Sequence, residues 1–144
     1  MDVIFDIDGT LMNIEHRRHF VSQDRPDWVS FKNATHLDTP NDDIVDLCLL
    51  YQTAGARILI CTGRNESQRE ITEMQLKACG IEYSAMEMRW ENNYEPDHLM
   101  KQDMLKQLRE QGYNPTVVFD DRDSVVQMWR EAGLTCCQVA RGDF

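Results

Sequence analysis

Apolar residues are distributed along the chain in two alternating rhythms. Val3-Ile4-Phe5, Ile58-Leu59-Ile60 and Val117-Val118-Phe119 are short unbroken runs that read as strands covered on both faces. Residues 83–88 and 135–139 are weaker strand segments. Between them the apolar spacing becomes helical. Ile44, Leu47, Cys48 and Tyr51 form an i, i+3, i+4, i+7 stripe that stops at Gly55, and Ile71, Met74 and Ala78 form another before Gly80. Leu105 and Leu108 give a shorter stripe before Gly112, while Val125, Met128, Trp129 and Ala132 repeat the full pattern before Gly133. Strand and helix in alternation predict an α/β fold, a Rossmann-like three-layer sandwich on a parallel sheet, occupying residues 1–144 as one domain.

Residues 13–40 break the alternation. His16, Arg17, Arg18 and His19 are followed by Arg25-Pro26-Asp27-Trp28, a turn opening into a short helix on which Trp28 and Phe31 share a face. Inserted directly after the first strand, this segment is expected to form a small helical cap over the sheet edge. Alternatively, its aromatic residues plug the core.

The strand ends supply the chemistry. Ligands bind beyond the carboxyl ends of the strands in parallel sheets. Here the first run leads into Asp6 and Asp8, the second into Thr62 and Arg64, and the third into Asp120-Asp121. Asp6 is a candidate nucleophile, because a carboxylate is ionised at neutral pH and attacks phosphorus without a base. Asp8, two residues on, suits general acid/base work, and Gly9 allows a close turn around a phosphate. Thr62 offers a hydroxyl beside Gly63. Lys101 lies four and seven residues before Leu105 and Leu108, on the inward face of its helix, with Asp97 one turn earlier as the expected partner. The competing readings are an acidic turn for Asp6 and Asp8 and an exposed ion pair for Lys101 and Asp97. Asp120 and Asp121, with Asp6 and Asp8, supply the hard oxygens that suit Mg²⁺. Asp123 is expected as the N-cap of the following helix.

Composition narrows the partners. Of the 144 residues, 28% are charged, and 15 basic against 25 acidic side chains leave a net charge of −10. There is no general basic footprint for nucleic acid, so any polynucleotide must be held locally by a few arginines. No apolar run nears the roughly 20 residues of a membrane span, and no secretory leader stands at the start. The five cysteines (Cys48, Cys61, Cys79, Cys136, Cys137) have no metal-like spacing and fit buried free thiols in the cytoplasm. His16, His19, His36 and His98 lack zinc spacing, and no GxxxxGK[ST] or GxGxxG loop occurs. Nothing in the sequence marks a protein partner.

Asp6-Ile7-Asp8-Gly9-Thr10, Thr62, Lys101 and Asp120-Asp121 together resemble the four motifs of the haloacid dehalogenase superfamily. Thr62-Gly63-Arg64, Met88-Arg89, Asp97 with Lys101, and Val118-Phe119-Asp120-Asp121-Arg122-Asp123 are similar to the 3′-phosphatase domain of phage polynucleotide kinase. The resemblance implies an Mg²⁺-dependent phosphomonoesterase acting through an aspartyl-phosphate on a terminal, expectedly 3′, phosphate of a polynucleotide. It adds Arg17 and Arg64 as phosphate or substrate contacts and Asp97 as a supporting carboxylate. Glu95 departs from the family, which often has arginine there. Without a kinase half, 5′-phosphorylation is not expected. A mononucleotide phosphatase is the alternative, and a phospho-receiver domain a more distant one, since its acceptor aspartate lies mid-chain.

Overall fold

A computed structural model describes residues 1–144. The strands are β1 (Asp2–Phe5), β2 (Met12–Asn13), β3 (Thr39–Pro40), β4 (Arg57–Asn65), β5 (Ala85–Arg89), β6 (Pro115–Asp120) and β7 (Thr135–Gln138). The helices are α1 (Glu15–Arg18), α2 (Trp28–Asn33), α3 (Asp42–Thr53), α4 (Arg69–Ala78), α5 (Asp97–Glu110) and α6 (Asp123–Glu131), with single 3₁₀ turns at Thr35–Leu37 and Glu66–Gln68. A five-stranded sheet runs in the order β5-β4-β1-β6-β7, with every pair parallel. This is the expected Rossmann-like α/β sandwich. No helix is long and apolar enough to cross a membrane.

Side chains on a strand alternate between faces, so each central strand feeds two cores. Val3, Phe5, Ile58, Ile60 and Phe119 pack with Val45 and Cys48 of α3 and Leu76 of α4. Ile4, Leu59, Cys61, Val118 and Cys136 pack on the other face with Leu105 and Leu108 of α5 and Val125 and Trp129 of α6. Phe5 and Phe119 stack at 4.7 Å between ring centres across the β1–β6 pair. Met88, Met100, Met104 and Met128 are buried, as core filling requires.

Two helical faces differ from the apolar spacing. In α4 the buried residues are Thr72 and Leu76, whereas Met74 is exposed. The cause is polar: the Arg64 guanidinium donates to Thr72 Oγ1 at 3.1 Å and to Gln75 Oε1 at 2.7 Å, turning that face inward. In α3, Val45 joins Cys48 inside and Leu47 is left exposed.

Residues 14–38 lie between β2 and β3, which pair antiparallel with Met12 opposite Pro40 and Asn13 opposite Thr39. The excursion therefore leaves and returns at one point. Phe31 packs against the α3/α4 core with Arg17 over its ring at 4.2 Å, but Trp28 stays 58% exposed. All five cysteines are free, and burial pushes Cys48 and Cys136 up to about 12, leaving them unreactive thiols.

At the opposite edge of the sheet, Asp2 ties three segments together. It accepts from Arg57 Nε at 2.7 Å and Nη2 at 2.8 Å, and from the Asn114 N–H at 2.7 Å. The Arg57 hydrogen bonds hold its carboxyl below the ordinary 3.8. Its contribution to stability is thus complete above the unfolded-state value and is lost as the pH falls through the lower, folded-state one. Asp2→Asn is expected to lower Tm by a few degrees at pH 7, and thermal scans of both proteins should converge as the pH drops below about 4.

Candidate active site

Parallel register brings the acids together. Phe5 lies opposite Phe119, and the ladder continues one step as the Asp6 N–H donates to the Phe119 carbonyl at 3.0 Å. Asp6 and Asp120 therefore emerge side by side from neighbouring strands. Carboxylate oxygens of Asp6, Asp120 and Asp121 lie within 4.8 Å of one another, all buried. Lys101 enters from α5 and donates from Nζ to Asp6 Oδ1 and to Asp120 Oδ2, both at 2.8 Å. Thr10 Oγ1 donates to Asp6 Oδ2 at 3.0 Å. Asp120 is further fixed by Trp129 Nε1 at 3.0 Å and by the Asp121 N–H at 2.8 Å.

One ammonium does not balance three buried carboxylates. Burial and the neighbouring Asp120 raise Asp6 well above its ordinary value, and the same two causes push Asp121 up to about 6. Lys101 loses solvation on burial, but Asp120 and Asp6 outweigh that loss and hold its proton firmly. Arg18 approaches Asp121 at 3.4 Å from α1 and relieves the excess only in part. Three hard oxygen donors carrying surplus negative charge fit a small divalent cation such as Mg²⁺.

The Asp8 side chain does not join that cluster. It points instead to Arg17 Nη2 at 3.0 Å and Arg64 Nε at 3.0 Å. Despite burial, Arg64 and Arg17 keep its carboxyl below the ordinary range. The fourth carboxylate expected at a metal is thus aimed at two guanidinium groups, because both arginines are buried and need anionic partners.

Asp38, which the sequence did not single out, completes this second layer. It accepts from Arg17 Nε and Nη2 at 2.7 Å each, from Arg64 Nη2 at 3.0 Å, and lies 2.7 Å from His16 Nε2. A lone acid between Leu37 and Thr39 carries no motif. The only hint was the basic run at His16-Arg17-Arg18, since arginines that become buried need a carboxylate somewhere.

Thr62 is fully buried, and its Oγ1 accepts from the Arg64 N–H at 3.1 Å, which leaves its own O–H free to donate. The pairing of β4 with β5 shifts register between Cys61 and Asn65, so Thr62-Gly63-Arg64 bulges at the strand end. Gly9 has φ +82°, and a Cβ there would sit 2.1 Å from Asp121 Oδ2. Only glycine lets the loop after β1 close onto that carboxylate.

Asp97 does not pair with Lys101 as expected. Its carboxylate holds Arg89 and, at 2.8 Å, Arg122 Nη1. Lys101 is too deeply buried for one partner a turn away and reaches inward instead. Asp123 is the first residue of α6 rather than its cap, which is Arg122, and its carboxylate accepts from Gln138 Nε2 at 2.6 Å.

This sheet order with this acidic strand-end site defines a haloacid dehalogenase-like hydrolase. The chain belongs to the family described as the polynucleotide kinase PNKP phosphatase domain, whose model matches residues 1–144, and it is a phosphatase domain. A chain of the Pnkp1/Rnl/Hen1 complex is similar at 31% identity and TM-score 0.84 over 99% of this chain and 47% of that one. The present chain thus spans about half the length of that relative. The fold also matches a haloacid dehalogenase-like hydrolase from Streptococcus pneumoniae (13% identity, TM-score 0.67, 95% and 83% of the two chains). A class C acid phosphatase from Bacillus anthracis matches as well (14%, 0.63, 91% and 59%).

Removing the Asp38 carboxylate leaves Arg17 and Arg64 with Asp8 alone. Asp38→Ala is expected to cost about 3–5 kcal/mol of stability and most of the phosphatase activity. Asp38→Asn should be milder in stability but still impaired in turnover. Chemical denaturation followed by steady-state assay separates the two effects.

Proposed function

We propose that the chain removes a terminal 3′-phosphate from a polynucleotide through an aspartyl-phosphate on Asp6. One observation carries this reading. The Asp6 carboxylate pairs with the Lys101 ammonium inside a cluster of three acids, and Asp8 faces two buried arginines. Asp6 attacks phosphorus, and the bond to the 3′ oxygen breaks as Asp8 delivers a proton to that oxygen. Asp8 then takes a proton from water, whose oxygen attacks the phosphoryl group and frees Asp6.

Thr62 and Lys101 hold the phosphoryl oxygens, and Arg17 and Arg64 bind the phosphate or substrate. As the arginines engage a phosphate, their hold on Asp8 weakens and its proton affinity rises, which suits it as the acid. Asp97 supports the site by holding Arg89 and Arg122. Asp6, Asp120 and Asp121 would hold Mg²⁺, which supplies charge neutralisation at the attacking carboxylate and the phosphoryl oxygens. Five free thiols favour the cytoplasm.

The net charge of −10 favours a second reading, a mononucleotide phosphatase whose contacts are confined to the pocket. Assays of a 3′-phosphorylated oligonucleotide beside 3′- and 5′-mononucleotides distinguish them, and turnover of mononucleotides alone would sink the polynucleotide reading. Asp6→Asn is expected to reduce kcat by about a thousandfold or more with an unchanged circular dichroism spectrum. Chelation of divalent ions should stop turnover reversibly, with Mg²⁺ restoring it.

A further inference from the structure

We propose that residues 90–96, between β5 and α5, form a stacking platform for unpaired bases just upstream of the terminal phosphate. The proposal rests on the polynucleotide reading above and names how that substrate is held. Trp90 and Tyr94 are 73% and 89% exposed, although the loop that carries them is tightly built. Arg89 donates to the carbonyls of Asn93 at 3.2 Å, Glu95 at 2.8 Å and Gly63 at 3.3 Å, and also pairs with Asp97. The Asn93 N–H closes a turn on the Trp90 carbonyl at 3.2 Å, and Asn92 takes a left-handed φ of 62° inside it. Asn65 Nδ2 holds the same Trp90 carbonyl at 3.4 Å. The carbonyls of Trp90, Asn93 and Glu95 are thus tied down while the two rings are left exposed. Such exposure adds nothing to folding stability, since large apolar side chains gain by burial.

Position and charge indicate the occupant. Arg89 links the loop to Gly63, the residue between Thr62 and Arg64, so the platform is continuous with the phosphate site. Its side chains include Glu91 and Glu95 and no base, which disfavours a sugar-phosphate backbone lying against it. Base faces have no such penalty, and aromatic rings stack on any of them. A single-stranded end therefore binds through its bases along the loop while only its terminal phosphate meets the arginines. This also reconciles a polynucleotide substrate with a strongly acidic surface, because stacking needs no basic track.

The test is the double variant Trp90→Ala/Tyr94→Ala against the whole protein. For a 3′-phosphorylated single-stranded oligonucleotide, KM should rise roughly tenfold for each ring lost. kcat should hold, and KM for a 3′-mononucleotide should not move. Trp90→Phe/Tyr94→Phe should retain most of the affinity, and the loss in the alanine variant should persist at raised salt. Titration of a 3′-hydroxyl oligonucleotide by fluorescence anisotropy reads the platform independently of chemistry. If the alanine variant binds and turns over oligonucleotides like the wild type, the platform is wrong. If it loses binding of a partner protein and not of oligonucleotides, the loop is a protein-docking face and the proposal is overturned. If the wild type turns over no polynucleotide phosphate but the hydroxyl oligonucleotide still binds through the rings, the functional reading fails and the platform stands.

Discussion

The site is organised around the Lys101 ammonium, held between Asp6 and Asp120. Parallel pairing of β1 with β6 forces these carboxylates together at neighbouring strand ends, where both are buried. Without an internal cation, such a cluster would protonate or push the strands apart. One lysine suffices to hold the fold but does not neutralise the site. The residual negative charge suits a divalent cation, which would in turn make room for an anionic substrate.

A second charged layer surrounds the first. Asp8, Arg17, Arg64 and Asp38 alternate in sign, so every buried charge has at least two opposite neighbours. The layer also joins parts of the chain that are remote in sequence. Arg17 comes from α1, Arg64 from the end of β4, and Asp38 from the position just before β3. Arg64 reaches further, to Thr72 and Gln75, and thereby sets which face of α4 is buried. Electrostatics at the site thus decides packing some distance from it.

The strands, their order along the chain and the acids at their ends were legible in the sequence, because an apolar run followed by a carboxylate has few readings in a parallel sheet. Lys101 was legible from helical phase alone. The faces of α3 and α4 were not, since the inward residues of α4 are polar and their reason lies on β4. Asp38 was invisible for a related cause: its importance comes from two arginines that converge on it only in three dimensions. The partner of Lys101 was misjudged as Asp97, because sequence spacing ranks a neighbour one turn away above two carboxylates contributed by distant strands. Residues 13–40 were recognised as an interruption, yet their aromatic residues divide: Phe31 packs inward under Arg17, and Trp28 stays in solvent.

The two-residue pairing of β2 with β3 has an evolutionary consequence. Because residues 14–38 start and finish at a single small clasp, this stretch can be lengthened, shortened or replaced while the strands and the acid-bearing ends stay in register. The clasp separates the part of the molecule that performs the reaction from one that can be remodelled for new substrates. Phe31, Lys32 and Thr35 also touch the rest of the molecule, but the ion pairs across the join are made by Arg17, Arg18 and Asp38, so a replacement segment has to supply anew the charges they provide. The electrostatic cost of novelty in this architecture is therefore concentrated in three side chains.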